Sequence, residues 1–320
     1  MAMRTNWKSW FRRTGIALSI LVGAMVISYS GFQRESLPLN EQIREQFGGE
    51  YARLRVGVTH YELLGDGSGP LVVMLHGSTV SIWDFDLQVD SLLNAGFRVL
   101  RFDALGRGLS DRPQIDYTRQ LYVSQVRELL NWLKIDEPVF LLGHSLGGAI
   151  AVQFAAENPE MVRGIALLSP VVNSVHARAP FWVCNTPLLG DFLLRVVMIK
   201  VLHVRANKQW EGAGVNMEHY SDLFARQASI TGFEHAVCSM FTTDMVGDYR
   251  EAYRQVGRLN IPGWLVYGGD DTAVWPDDVN ALKPLMPDVE FRYFPHGAHS
   301  IHVQSRDIYN RELIQFLHKH

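Results

Sequence analysis

Six short apolar runs constrain this chain more than any other feature. They are Leu71–Leu75, Phe97–Phe102, Val139–Leu142, Gly164–Leu168, Trp264–Tyr267 and Val289–Phe294. Each is too short for a helix. Most lack the apolar–polar alternation of a half-solvated strand, and longer stretches such as Leu121–Leu133, with apolar residues at helical spacing, lie between them. Buried strands alternating with amphipathic helices predict a mostly parallel sheet covered on both faces. Arg55–Leu64 alternates and predicts an antiparallel strand pair ahead of it. Such sheets bind ligands beyond the carboxyl ends of their strands, so the residues after each run come next.

After Val139–Leu142 the chain reads Gly143-His144-Ser145-Leu146-Gly147-Gly148 and enters a helical stretch, Ala149–Glu157. A G-x-S-x-G turn between strand and helix holds its serine in a strained conformation that lifts Oγ above the sheet. His76-Gly77-Ser78-Thr79 follows Leu71–Leu75, and Asp103-Ala104-Leu105-Gly106-Arg107-Gly108-Leu109-Ser110 follows Phe97–Phe102. Over roughly residues 50–320 these motifs, in this order, resemble the α/β-hydrolase family, in particular serine esterases, lipases and monoacylglycerol lipases. The resemblance implies an α/β fold with an inserted helical cap, a Ser–acid–His triad, no cofactor and no catalytic metal.

Carried over residue by residue, the resemblance makes Ser145 the nucleophile and the N–H groups of Ser78 and Leu146 the oxyanion donors. The acid should follow a late strand. Leu168-Ser169-Pro170 offers no carboxylate, whereas Gly268-Gly269-Asp270-Asp271 does, and spacing favours Asp271 over Asp270. The base should follow the last strand, where His296, His299 and His302 stand three apart; the family frame selects His299. A His-x-x-His-x-x-His metal site is the competing use of these residues, but it lacks a cysteine or an HExxH helix. A serine hydroxyl needs an adjacent base, and the base needs a carboxylate to fix its tautomer. Trp83, Phe85 and His144 are the expected pocket walls.

Residues 173–260 are too long for a connection between strands and predict a cap, with 50–172 and 261–320 forming the core. The cap contributes aromatic and aliphatic residues such as Phe181, Trp182, Leu188, Phe224, Phe233 and Met240. The implied substrate is an apolar small ester, acylglycerols included. C–C bond hydrolysis, cofactor-free peroxidase chemistry, peptidase chemistry and ligand binding without catalysis are the alternatives on the same fold.

Residues 1–33 carry Arg4, Lys8, Arg12 and Arg13 and no acid, followed by the uncharged stretch 15–32. At 1.5 Å per residue that stretch extends about 27 Å, close to the hydrocarbon thickness of a bilayer. Trp7, Trp10 and Phe11 flank it as interfacial aromatics do. A single-pass anchor with the catalytic domain on the non-cytoplasmic side is expected, with a cleaved signal peptide and a secreted or periplasmic domain as the alternative. Residues 34–49 read as a polar linker. The whole chain has a formal charge of -3, so the body beyond the leader is acidic and offers no footprint for nucleic acid. Cys184 and Cys238 can form at most one bridge, and otherwise read as two small buried hydrophobes.

Overall fold

The computed structural model describes residues 7–31, 35–173, 184, 186 and 189–320. Eight strands form one sheet: β1 (Glu50–Arg53), β2 (Val58–Leu64), β3 (Leu71–Leu75), β4 (Arg98–Phe102), β5 (Val139–His144), β6 (Val162–Leu168), β7 (Gly263–Gly268) and β8 (Glu290–Phe294). Their order is β1-β2-β4-β3-β5-β6-β7-β8. Arg55–Leu64, expected to be an antiparallel pair, supplies one strand, β2; it pairs antiparallel with β1, which lies before that run, and with β4, and every later pairing is parallel. This is the α/β architecture expected. The apolar runs become strands because every residue of β3, β5 and β7 is buried, from both sides.

Period-two alternation sorts side chains between two cores. Val139 and Leu141 point to one face, where they pack with the helices Arg119–Trp132, Leu146–Glu157 and Arg250–Arg258 and with cap residues such as Phe233 and Met240. Phe140 and Leu142 point to the other, against the helices Asp86–Asn94 and Arg306–Lys319. The cap-bearing face is therefore distinct from the face that Phe140 and Leu142 cover.

The insertion after β6 contains the helices Leu189–Leu193, Ile199–Lys208, Met217–Ser229 and Phe233–Thr242. Phe181, Trp182 and Leu188 lie outside the described residues. The last helix before β7, Arg250–Arg258, is not part of the cap. Ala252, Tyr253 and Val256 are buried, and Gln255 Nε2 donates to Ala156 O, so it is the sheet-covering helix of the β6–β7 crossover. Cys184 and Cys238 are joined by a disulfide across the insertion.

Residues 35–49 are more than a linker. Ser36 and Leu37 donate to Ser229 O, and the Glu35 carboxylate accepts from the Gly232 (2.6 Å) and Glu234 (2.5 Å) N–H groups, capping the helix Phe233–Thr242. Asn40 Oδ1 then caps a helix, Glu41–Phe47. Upstream, Trp7–Gly31 is one helix, and its first turns are the basic, aromatic leader. Among the described residues no helix is long and apolar enough to cross a membrane, so the structure gives the expected transmembrane anchor no support.

Candidate active site

The elbow between β5 and the helix Leu146–Glu157 explains the glycines of its motif. A Cβ on Gly147 would sit 2.0 Å from Leu75 O, so only glycine lets the helix start approach the end of β3. Ser145 sits at φ 54°, ψ -116°, an unfavourable backbone for any side chain. Its position is held from both directions, since Ser145 N–H donates to Leu168 O and Val171 N–H donates to Ser145 O. Ser169–Val171 thus lie against the elbow, as the topology predicts.

Asp271 and His299 are brought together. His299 Nδ1–H donates to Asp271 Oδ2 at 2.8 Å, leaving Nε2 as a bare lone pair. The other oxygen, Asp271 Oδ1, accepts from the Ala273 and Val274 N–H groups at 2.8 and 2.9 Å. Burial pushes the Asp271 carboxyl up, but the His299 hydrogen bond and these two amides outweigh burial and hold it below the usual carboxylate range. The competing residues stand apart. The side chains of Asp270 and His296 are 65% and 95% exposed, and their closest approach is 3.9 Å. His296, His299 and His302 each face a different partner, so the three do not converge on a metal. Among the described residues Ser145 Oγ makes no hydrogen bond to His299, a contact that catalytic pairs commonly tighten only with substrate bound.

The oxyanion loop is fixed atom by atom. His76 Nδ1–H donates to Gly77 O at 2.7 Å while His76 Nε2 accepts from Ala104 N–H, a neutral ring whose pKa burial lowers. Because a peptide is planar and trans, pinning Gly77 O also fixes the direction of the Ser78 N–H. Arg107 Nε–H holds Ser78 O at 2.6 Å, and the Gly77 N–H donates to Asp84 Oδ2 at 2.9 Å. The Ser78 N–H itself has no partner among the described residues. Leu146 opens its helix, so its N–H is one of the donors that no helical carbonyl can reach. The Asp103–Ser110 motif braces this loop from below. Asp103 carboxylate oxygens accept from the Ile82 and Leu109 N–H groups, and a Cβ on Gly108 would lie 1.9 Å from Asp103 Oδ2.

Two expected pocket walls are corrected. His144 ends β5 on the same side as Phe140 and Leu142, so strand alternation turns it away from the cap-bearing face; it is buried, facing Asp84 and the His299 carbonyl. Phe85 packs in that same core, with His302 5.5 Å away. The tight turn Ile82–Phe85 sends consecutive side chains in different directions, and Trp83 alone joins the core shared with the cap. Sequence reasoning missed Asp84, His76 and Arg107 as organisers of the site.

Fold, elbow and strand-end loops together are those of an α/β-hydrolase. The chain belongs to the Hydrolase_4 family, described as serine aminopeptidase, S33, whose profile matches residues 68–306. A Paraburkholderia xenovorans hydrolase of 2-hydroxy-6-oxononadienedioate and 2-hydroxy-6-oxononatrienedioate is 27% identical over 86% of this chain and 97% of its own. An uncharacterized Mycobacterium tuberculosis protein is 40% identical over 42% of this chain, and the match spans only 39% of that relative's length. Among solved structures, an enol-lactonase from Burkholderia xenovorans superposes with a TM-score of 0.69 at 21% identity, covering 84% of this chain and 99% of its own. An esterase from Exiguobacterium antarcticum gives 0.69 at 18%, covering 84% and 99%. At these identities the superpositions speak for the fold.

Proposed function

We propose that this hydrolase cleaves carboxylic esters of apolar small molecules, acylglycerols among them, through an acyl-enzyme. The observation that carries the reading is the Asp271–His299 couple, together with the strained Ser145, whose chain neighbour His144 touches the His299 backbone at 3.2 Å. Ser145 Oγ attacks the ester carbonyl as His299 Nε2 takes its proton; the tetrahedral oxyanion accepts from the Ser78 and Leu146 N–H groups. Collapse expels the alcohol, protonated by His299, and leaves an acyl-Ser145 ester. Water, deprotonated by His299, then attacks that ester and releases the acid and the free serine.

A fluorophosphonate probe tests the reading. The full chain should label, and Ser145→Ala and His299→Ala should not. Labelling that survives Ser145→Ala removes Ser145 from the chemistry. A panel of p-nitrophenyl and glyceryl esters of graded chain length then measures the acyl preference. C–C bond hydrolysis is the second reading, favoured by the relative aligned over 86% of the chain. It predicts turnover of a 2-hydroxy-6-oxo-dienoate with little ester activity.

We further propose that the catalytic domain works outside the cytoplasm. The basic leader supports this, as does the Cys184–Cys238 bridge, since structural disulfides persist in oxidising compartments. The mass of the mature protein and a thiol count distinguish a retained leader from a cut near Gly31. Two free thiols in protein isolated from cells, without reductant, contradict the placement.

A further inference from the structure

Behind the Asp271–His299 couple lies a second buried cluster, Asp84, His144 and His302, with one ligating atom of each within 4.8 Å of the others. Asp84 Oδ2 accepts from the Gly77 N–H at 2.9 Å and faces His144 Nδ1 at 2.8 Å. His144 Nε2 faces the carbonyl oxygen of His299 at 3.2 Å. Neither a carboxylate nor a carbonyl has a proton to give, so both ring nitrogens of His144 have to donate. The ring that satisfies this position is an imidazolium, with Asp84 as its counter-ion. His302 is different. Its Nε2 donates to the backbone oxygen of Asp84 at 2.8 Å, and its Nδ1 has no hydrogen-bond partner among the described residues, so a single proton satisfies it.

The charges are consistent with this assignment. Burial pushes the Asp84 carboxyl up, but the charge and hydrogen bond of His144, with the hydrogen bond of His302, outweigh burial and hold it well below the usual carboxylate range. The other titratable groups that face the pair are the His299 ring, 4.8 Å from that of His144, the buried His76 ring, which interacts with the Asp84 charge, and the Tyr309 hydroxyl, which stays protonated. The oxyanion side is closely packed against the pair: a Cβ at Gly77 would lie 3.3 Å from His144 Nδ1 and 3.5 Å from Asp84 Oδ2.

Resting on the acyl-transfer reading, we infer that the Asp84–His144 ion pair is a positioning device that ties three loops of the site together. Asp84 holds the oxyanion loop through Gly77. His144 is bonded to the nucleophile's own backbone, one residue before Ser145. Its Nε2–H holds the loop that presents His299. The three contacts span 7, 60 and 155 residues of chain, so no local turn could keep these loops in register. A neutral His144 would have to release either Asp84 or the His299 carbonyl, and a misplacement of about 1 Å in such a site costs on the order of 100-fold in rate.

The test combines nitrogen-15 NMR of the full chain, labelled at histidine, with probe kinetics. His144 is assigned by the signals lost in His144→Gln. At about pH 7, where a free imidazole is mostly neutral, both His144 nitrogens should appear protonated, and Asp84→Asn should return one of them to the bare state. Folded Asp84→Asn should label with fluorophosphonate roughly 10- to 100-fold more slowly, with ester KM within about twofold. A bare nitrogen on His144 in the unmodified chain overturns the inference, and needs no variant to fold. So does an unchanged labelling rate in Asp84→Asn. Stoichiometric zinc that displaces the protons of both His144 and His302 would instead make the cluster a metal site. An unmodified chain that shows the imidazolium but never labels overturns the acyl-transfer reading, a result distinct from the others.

Discussion

Two of the molecule's aspartate–histidine couples lie side by side, and each closes at 2.8 Å. Their carboxylates are alike in burial, the side chains of Asp84 and Asp271 being 0% and 1% exposed, and both are held ionised, Asp271 by His299 and two backbone amides and Asp84 chiefly by His144. The couples differ at the far nitrogen. His299 Nε2 has no partner among the described residues and its side chain is 27% exposed, whereas His144 Nε2 is committed to a carbonyl and its side chain is 3% exposed. An Asp–His couple is thus not a proton shuttle by composition. It becomes one where the second nitrogen is left open toward a substrate, and a structural strut where that nitrogen is used up.

The largest effect should fall on the open couple. His299→Ala and Ser145→Ala should each lower kcat by about 10^6-fold, and the double variant should lose little more, since the two act as one unit. Single and double variants measured on one p-nitrophenyl ester check this. Losses that multiply would mean that the two side chains act independently, and the distinction between open and closed couples would lose its basis.

Next comes the orienting carboxylate. Asp271→Asn keeps the shape but can leave the proton on the wrong nitrogen of His299, and should lower kcat by about 10^4-fold. Asp84→Asn should cost far less, because its histidine moves no proton in the reaction. Equal losses in kcat for the two variants would erase the contrast.

Much of this was legible in the sequence. The sheet was, because strands buried on both faces leave continuous apolar runs, and β3 begins and ends at the residues the pattern marks. Asp271 and His299 were, because fixed loop spacings carry them. His144 was misassigned although the information was present: counting alternate residues from Phe140 and Leu142 puts it on the face away from the cap. Asp84 had no such signal. Its partners arrive from Gly77, His144 and His302, and a contact between loops 60 or 218 residues apart leaves no local pattern. Residues 35–49 looked like a linker for a similar reason, since Glu35 caps a helix almost 200 residues away.

A smaller effect should appear in acid. Both carboxyls have folded-state pKa values below their unfolded ones. Their contribution to stability is therefore fully present above about pH 4 and lost as pH falls through the depressed folded values. Asn cannot titrate, and a protonated Asp84 resembles it. The stability gap between the unmodified chain and Asp84→Asn, read as the urea midpoint, should accordingly narrow from about pH 6 toward pH 3. A gap that stays constant or widens would mean that Asp84 is not held ionised, and the strut would be a neutral hydrogen bond.

The smallest effect belongs to an exposed couple, Asp270 and His296, which lies next in sequence to the open one. Its side chains approach to only 3.9 Å and both are mostly exposed. An exposed ion pair at that distance is worth about 0–1 kcal/mol and is screened by salt. Among the described residues neither side chain is held by a buried partner, and Asp270 is tied to the site through its backbone, whose N–H donates to Gly297 O at 2.9 Å. Asp270→Asn and His296→Gln preserve that backbone bond. Each should leave kcat and KM within about twofold, and the melting temperature within about 1–2 °C. The test is sharp because these residues compete with Asp271 and His299 on motif grounds alone. If Asp270→Asn lowered kcat by orders of magnitude while Asp271→Asn did not, burial and a fixed tautomer would not be what selects the working carboxylate.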